Sequence, residues 1–262
     1  MTTHHMFDLD WTPEGVVFDC DGTLVDSEQH WQEARFIVLR DAGCAPDEEF
    51  AEHAKGLHYT ECGALMARLA GRPDGAEEMT RHLLETFRAL AARRPVAMRG
   101  ARDLVAELSR VAPLAVASNC PADVVEFCLE SVGLRHHFRH LVVPGGPVRP
   151  KPHPDTYAEA VRRLGVKPGD ALAVEDSVNG LRAAAGAGLR VVGVGPRPGP
   201  EAAALADLWV GGLDNPGLAA WAASRPTDLR PEAGRGAPRS APSAPTVPRP
   251  GGPTRSGTTT SP

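Results

Sequence analysis

The sequence predicts an α/β fold: a parallel sheet with helices on both faces, and a helical segment inserted after the first strand. Three observations lead to this fold class. Short apolar runs typical of buried strands recur along the chain, helical patterns separate the later runs, and a long interval after the first run has only helical periodicity. Strands that alternate with helices are typical of parallel sheets.

The strands are predicted at short apolar runs, because a parallel sheet buries both faces of its strands. These runs are VVF (16–18), PLAVAS (113–118), HLVV (140–143), ALAV (171–174) and RVVGV (190–194). Apolar residues recur at helical spacing after Pro121 and again after Pro154. Connections of a few residues between these elements are normal for such a sheet.

The interval between Asp26 and about Val96 shows only helical stripes of apolar residues. The stripes are Trp31, Ala34 and Val38; Tyr59, Cys62, Leu65, Met66 and Leu69; and Met79, Leu83, Phe87 and Leu90. We predict that residues 27–96 form a helical domain inserted into a core of residues 1–26 and 97–224. Ligands of parallel sheets bind beyond the carboxyl ends of the strands, so an insertion leaving from that edge is expected to cover the site.

Composition restricts the partners and the location. The chain has 262 residues with a net charge of −5, and its body has no basic cluster, which argues against a nucleic-acid surface. No apolar run approaches the roughly 18 residues of a membrane span. The start of the chain lacks the pattern of a signal peptide. We therefore expect a cytoplasmic protein with no membrane partner, as a monomer or a weak homodimer.

The cysteines and the end of the chain add two further expectations. The five cysteines never form a CxxC pair, so reduced thiols are expected rather than disulfides or a zinc site. From Pro226 onward the chain has nine prolines, and five arginines against two acids. Few apolar residues remain there to form a core, so residues 225–262 are predicted to be a disordered tail.

Polar residues follow four of the predicted strands. In chain order they are Asp19 and Asp21, Ser118 and Asn119, Lys151, and Glu175 and Asp176. Taken alone, the acids and Ser118 fit helix caps or turns, and Lys151 fits a solvated loop. Because the carboxyl ends of parallel strands meet at one edge of the sheet, we expect these residues to lie together.

This set of side chains suits phosphoryl chemistry. Four carboxylates at one edge repel one another unless a divalent cation lies among them, and oxygen ligands suit magnesium. The hydroxyl of Ser118, the amide of Asn119 and the ammonium of Lys151 suit a phosphoryl group. Magnesium between carboxylate and phosphate would offset the repulsion between an anionic nucleophile and an anionic ester.

Four segments together resemble the ordered motifs of the haloacid dehalogenase superfamily. They are DCDGTLVD (19–26), ASN (117–119), KPHPD (151–155) and VEDSVNGLRAAAGAG (174–188). The similarity is greatest to the phosphatase and phosphomutase branch with a small helical cap, and it runs from about Val16 to Gly195. It implies a Rossmann-like, three-layer α/β/α core, Mg²⁺ as the cofactor and a covalent aspartyl-phosphate.

The resemblance also implies a role for each motif residue. It makes Asp19 the nucleophile and Asp21 the acid–base, because one carboxylate must be ionised to attack phosphorus while the other holds a proton for the leaving group. The implied metal ligands are Asp19, Asp21 through its backbone carbonyl, Asp176 and Glu175, the last two as ligands or as groups just behind them. The implied phosphate-binding residues are Gly22, Thr23, Ser118, Asn119 and Lys151.

Features of the sequence argue against three alternatives. A haloacid dehalogenase proper lacks the second acid, and Asp21 is present. A phosphonatase would need a lysine of the cap as a Schiff base, for which Lys55 qualifies only by residue type. A receiver-type signalling module also uses a phospho-aspartate, but its acidic pair precedes the phosphoacceptor and no helical insertion follows its first strand.

The sugar-phosphomutase alternative is closer. Lys55-Gly56-Leu57 resembles the substrate-facing loop of β-phosphoglucomutase-like caps. However, residues 58–61 contain no arginine to bind a distal phosphate, and Trp31 takes the position of the mutase histidine, with His30 beside it. We therefore predict a magnesium-dependent phosphatase of a small phosphorylated metabolite, a sugar phosphate or a phosphoglycolate-like molecule. His53, His58 and Tyr59 are candidates for the cap side of its pocket.

Overall fold

The computed structural model describes residues 11–226, apart from residues 55–56 and 94–95. The strands are β1 (Gly15–Phe18), β2 (Leu114–Ala117), β3 (Phe138–Val142), β4 (Ala171–Glu175), β5 (Arg190–Val194) and β6 (Leu208–Val210). The helices are α1 (Glu28–Asp41), α2 (Glu48–Ala54), α3 (Tyr59–Leu69), α4 (Ala76–Ala91), α5 (Ala101–Val111), α6 (Ala122–Ser131), α7 (Asp155–Leu164), α8 (Val178–Gly186), α9 (Pro200–Ala203) and α10 (Pro216–Ala223).

The strands form one parallel sheet in the order β3-β2-β1-β4-β5-β6. Strand β1 lies between β2 and β4, where Val16 is opposite Leu114 on one side and Leu172 on the other. The strand order reverses direction at β1, and the crevice beyond the carboxyl end of such a strand is where open α/β sheets bind ligands. Both predicted acids of the first motif follow β1.

The two faces of β1 show why helices cover both sides of the sheet. Val16 and Phe18 belong to an apolar cluster that includes α5, α6 and α10, whereas Val17 belongs to a second cluster with α7 and α8. Side chains alternate along a strand, so a wholly apolar strand needs partners on both faces. The predicted Rossmann-like, three-layer α/β/α fold is confirmed.

Helices α1 to α4 lie between β1 and α5 in the chain, and they carry the three predicted apolar stripes. The segments that lead into and out of this region run side by side. Asp26 donates its N–H to the carbonyl of Val96 at 2.8 Å, and Met98 donates to Leu24 at 2.9 Å. The start of α1 is therefore held next to the end of β1. The domain limits at 26/27 and 96/97 stay a prediction.

Two further expectations concern the termini and membranes. The predicted tail, residues 225–262, begins with the described residues Arg225 and Pro226, but residues 227–262 lie outside the described part of the chain. Among the helices that the structure describes, none is both long and apolar enough to cross a membrane.

Candidate active site

The two acids of the first motif face the same cavity. Asp19 follows β1 directly and donates its N–H to the carbonyl of Val174 in β4 at 2.9 Å, which continues the sheet pairing. Asp19 and Asp21 both line the cavity, whereas Cys20 between them is buried in the apolar core. This alternation is what an extended chain produces, and it delivers two carboxylates to one space.

The turn after these acids fixes Asp176. Gly22 has a φ of 86°, and a β-carbon there would lie 2.5 Å from Oδ2 of Asp176. Glycine is therefore required both for the left-handed conformation and for the close approach. Thr23 donates its hydroxyl to Oδ1 of Asp176 at 3.2 Å. These two residues connect the end of β1 to the end of β4.

Lys151 lies between two carboxylates. Its Nζ donates to Oδ1 of Asp19 at 2.6 Å and to Oε2 of Glu175 at 2.7 Å, and the side chain is 3% exposed. Burial works against the ammonium, but Asp19 and Glu175 outweigh that effect and raise the pKa of Lys151. The lysine therefore stays charged and is aimed at the predicted nucleophile.

Glu175 is fully buried, and both of its oxygens accept hydrogen bonds. Oε2 accepts from Lys151 and from the hydroxyl of Tyr157 at 2.7 Å. Oε1 accepts from the backbone N–H groups of Asp176 and Ser177 and from the Ser177 hydroxyl at 2.9 Å. The carboxylate packs so closely on Gly180 of α8 that a β-carbon there would overlap it. Glu175 is thus fixed in place.

Asp21 is held by donors from three segments. Its Oδ1 accepts from the Ser27 hydroxyl at 2.7 Å and from the Trp31 indole N–H at 3.1 Å. Its Oδ2 accepts from the Ser118 hydroxyl at 3.3 Å, and Ser118 accepts in turn from the N–H of Cys120. The end of β2, the segment before α1 and α1 itself therefore position one carboxylate.

Asn119 holds the loop of Lys151. Its side-chain nitrogen donates to the carbonyl of Lys151 at 3.1 Å, and its side-chain oxygen accepts from the N–H of Lys151 at 2.8 Å. This reciprocal pair uses both ends of the amide. The predicted phosphate-binding role of Asn119 stays a prediction, while the structure ties its side chain to the lysine.

The donor set fits a divalent cation. Carboxylate oxygens of Asp19, Glu175 and Asp176 lie within 4.8 Å of one another. Oδ2 of Asp19 is buried and accepts no hydrogen bond from the described residues. Burial, followed by the charge of Glu175, raises the pKa of Asp19 well above its ordinary value, and Lys151 acts in the opposite direction. A magnesium ion would supply the missing positive charge and favour the ionised nucleophile.

The cavity above these groups has a volume of about 60 Å³. One water needs roughly 10–15 Å³ on this measure, so there is room for only a few waters. The inserted helices form its far wall, with side chains that include Trp31, Arg35, Leu57, Tyr59 and Leu83. A ligand that exceeds this volume requires the wall to move.

Comparison with known proteins identifies the family. A sequence model of haloacid dehalogenase-like hydrolases matches residues 13–188. The chain belongs to this family. Protein CbbY of Cereibacter sphaeroides is 35% identical over 192 residues, which cover 68% of this chain and 83% of that protein. Validoxylamine A 7'-phosphate phosphatase of Streptomyces hygroscopicus subsp. limoneus is 30% identical over 195 residues, which cover 74% of this chain and 91% of that protein.

Solved structures of this haloacid dehalogenase-like family agree with the fold. CbbY from Rhodobacter sphaeroides in complex with phosphate superposes with a TM-score of 0.68, at 32% identity, over 77% of this chain and 95% of that one. A β-phosphoglucomutase from Clostridium difficile gives a TM-score of 0.69 at 21% identity and supports the fold alone. The predicted family and the prediction of an enzyme are confirmed, and the relatives support a phosphatase or phosphomutase.

Several residues of the site have no clear signal in the sequence. Tyr157 lies in the helical pattern predicted after Pro154, and that pattern does not indicate that its hydroxyl reaches Glu175. Arg35 lies four residues after Trp31 on α1, so both are on one face of the helix. That spacing is the one signal for Arg35 in the sequence. Ser27 and Ser177 had no stronger signal than their place beside a motif acid.

The cap-side candidates have separate outcomes. Tyr59 lines the cavity. His58 is buried at the start of α3, where Nδ1 lies 2.6 Å from the Thr60 hydroxyl, and His53 is exposed. Lys55-Gly56, on which the phosphonatase and mutase comparisons depended, lies outside the described residues.

Proposed function

We propose that the protein is a magnesium-dependent phosphatase that hydrolyses a small phosphorylated metabolite through an aspartyl-phosphate on Asp19. The observation that carries the proposal is the different surroundings of the two acids after β1. Asp19 pairs with the ammonium of Lys151, whereas Asp21 accepts from two hydroxyls and an indole. Such surroundings suit a nucleophile and an acid–base respectively.

Asp19 and Asp176 would hold the ion, together with the backbone carbonyl of Asp21. Magnesium would neutralise charge between the carboxylates and the phosphate, which lowers the barrier to their approach. Glu175 is assigned to a different task. Because both of its oxygens already accept hydrogen bonds, it holds Lys151 rather than binding the ion directly.

In the first step the Asp19 carboxylate attacks phosphorus, the ester P–O bond breaks, and the leaving oxygen takes a proton from Asp21. Oδ2 is the oxygen that can carry this proton. Oδ1 of Asp21 faces the Trp31 indole, which can only donate, whereas Oδ2 faces the Ser118 hydroxyl, which can also accept. Lys151 keeps its charge beside Asp19 throughout and stabilises the charge that develops on the phosphoryl group.

In the second step Asp21, now ionised, takes a proton from a water molecule that attacks the phosphorus of the aspartyl-phosphate. Inorganic phosphate leaves, and Asp19 is restored as a carboxylate. Asp21 is then protonated again, ready for the next ester. One acid could not serve both steps, because it cannot be an anionic nucleophile and a proton donor at once.

The contacts of Asp21 favour hydrolysis over phosphoryl return to a sugar. Ser27, Trp31 and Ser118, which are all groups of the protein itself, hold this carboxylate. The base is thus in place to activate water as soon as the alcohol leaves. A mutase would need that base idle until a second sugar phosphate arrives.

The test is a phosphate-release assay of purified protein against a panel of phosphorylated metabolites. Turnover should disappear with a chelator and return with added magnesium. Phosphomutase turnover with a bisphosphate activator should stay far below phosphate release. Release at the level of a no-enzyme control on every substrate would refute the phosphatase, and mutase turnover exceeding release would select the alternative.

A further inference from the structure

Arg35 is a charged residue that lines the cavity and takes no part in the catalytic steps. Among the described residues, two charged side chains have a buried polar atom that accepts or donates no hydrogen bond: Asp19 at Oδ2 and Arg35 at Nε. Both residues line the same cavity, one from the sheet edge and the other from α1. The first fits a cation, so the second calls for an explanation of its own.

The guanidinium of Arg35 is buried with few acceptors. The residue is 5% exposed, and a guanidinium carries five N–H donors. Glu28 accepts from Nη1 at 3.2 Å, and the Cys62 thiol, a weak acceptor, lies against the group. The Trp31 ring lies 6.0 Å away. A buried cation with so few acceptors is costly, and an oxyanion in the cavity would remove that cost.

Among the described residues, Glu28 is the one carboxylate that accepts from Arg35, and it is poorly suited to hold the guanidinium alone. Glu28 makes one hydrogen bond rather than the bidentate pair that arginine and carboxylate form at their strongest, and its side chain is 26% exposed. Arg35 also borders an outer groove, but that groove carries Glu33, Asp47 and Glu48, which repel anions. The inner cavity also carries acids, but Lys151 and the proposed magnesium offset their charge, so it is the side from which an anion can come.

We propose that Arg35 binds a second anionic group of the substrate, a carboxylate or a second phosphate, at the end opposite the phosphoryl group that is transferred. This inference rests on the proposed phosphatase function and names its substrate class. The charge-assisted bonds are expected to raise kcat/KM for such substrates about tenfold to a hundredfold over neutral analogues.

The test uses substrate pairs that differ only in the distal group. Three pairs exchange a carboxylate for a hydroxymethyl group: phosphoglycolate with 2-hydroxyethyl phosphate, 3-phosphoglycerate with glycerol 3-phosphate, and 6-phosphogluconate with glucitol 6-phosphate. A fourth pairs propane-1,3-diol bisphosphate with its monophosphate. At least one charged member should exceed its partner by about tenfold in kcat/KM, and whether this occurs in a carboxylate pair or in the bisphosphate pair identifies the anion.

Variants connect the preference to the residue. Arg35→Gln should bring the ratio within the best pair close to one, and Arg40→Gln, an exposed arginine on the same helix, should leave it unchanged. An equal loss for both members of the pair would mean that Arg35 is structural only, and an unchanged ratio would refute the contact. If Arg35→Gln does not fold, Glu28→Gln provides the second test, because removing the competing carboxylate should increase the ratio.

A binding measurement separates this inference from the proposed function. Calorimetric titration of the Asp19→Asn variant with both members of each pair needs no turnover. Tighter binding of the charged member, lost in the Asp19→Asn, Arg35→Gln double variant, supports Arg35 even if no phosphate release is found. Phosphate release from neutral substrates, with no preference in any pair, overturns the Arg35 inference and leaves the phosphatase in place.

Discussion

The two walls of the cavity are built differently. At the sheet edge, carboxylates, hydroxyls, backbone N–H groups and Lys151 form a continuous network in which Glu175 alone accepts five hydrogen bonds. On the side of the inserted helices the wall combines apolar side chains with Glu28, Arg35, Tyr59 and Trp31, and the Trp31 indole donates to Asp21. The first wall has the rigidity that chemistry requires, and the second leaves donors for a substrate.

The largest expected effect comes from Asp19, whose buried Oδ2 accepts no hydrogen bond from the described residues. Asp19→Asn keeps the shape of the side chain and an acceptor for Lys151 but removes the nucleophile. We expect phosphate release to fall by about 10³-fold or more, with the circular dichroism spectrum and the melting temperature close to those of the wild type.

A matched surface change provides the control for this variant. Asp41→Asn removes an exposed carboxylate that pairs with Arg40 at the end of α1 and does not line the cavity, and it should leave turnover within about twofold of the wild type. Turnover by Asp19→Asn at a tenth of the wild-type rate would refute the nucleophile and would place the chemistry elsewhere in the network.

The next effect tests how rigid the sheet-edge network is. A β-carbon at Gly180 would overlap the Glu175 carboxylate, which five hydrogen bonds prevent from moving aside. Gly180→Ala should therefore lower the free energy of unfolding by about 2–3 kcal/mol, as measured by urea denaturation, and lower kcat as well.

The control lies in the same helix. At Gly186 the nearest atom to an added β-carbon is Cβ of Pro154 at 3.7 Å, an ordinary contact. Gly186→Ala should leave stability unchanged or raise it by about 0.5–1 kcal/mol, because alanine is the better helix former. An equal loss of stability in the two variants would show that α8 tolerates a substitution at neither glycine. The overlap with Glu175 would then not explain the effect at Gly180.

The sequence predicts the sheet-edge wall far better than the helical wall, and the reason is physical. Asp19 and Asp176 follow the buried strands β1 and β4, whose directions determine where they meet. Arg35 lies in an amphipathic helix, where a charged residue normally faces solvent. Only the packing of α1 against the rest of the molecule buries it, and that packing depends on contacts between residues distant in the chain.

The strands and their contacts also differ in how well the sequence predicts them. The five apolar runs correspond to β1 to β5 within a residue or two, because burial on both faces demands continuous apolar sequence. Strand β6 (Leu208–Val210) was missed, since it is three residues long, pairs with β5 alone and is only partly buried. Likewise, the partners of Glu175 could not be predicted from a motif that shows only its position.

Trp31→Phe tests the hydrogen bond from α1 to Asp21, which connects the helical wall to the sheet edge. Phenylalanine keeps an aromatic ring to stack on Phe87, whose centroid lies 3.8 Å from that of Trp31, but it loses the N–H that reaches Asp21. Ser27 and Ser118 still hold the carboxylate. We expect kcat to fall about three- to tenfold with little change in KM, in steady-state assays of phosphate release.

Trp209 provides the matched control for the loss of an indole N–H. Its Nε1 donates to the carbonyl of Gly195 at 2.8 Å, away from the cavity. Trp209→Phe should reduce stability by about 1 kcal/mol without a change in kcat. If both tryptophan variants lower kcat equally, the effect follows stability, and the inserted helices take no part in holding Asp21.

Tyr157→Phe should have the smallest effect, because it removes one donor from the most densely bonded group. Oε2 of Glu175 keeps the ammonium of Lys151 at 2.7 Å, and Oε1 keeps its three donors. The loss should be about 1 kcal/mol in the free energy of unfolding and less than about threefold in kcat. A loss of a hundredfold in kcat would mean that the hydroxyl, and not only Glu175, determines where Lys151 stands. In that case the sheet-edge wall would depend on single contacts as much as the helical wall depends on Arg35.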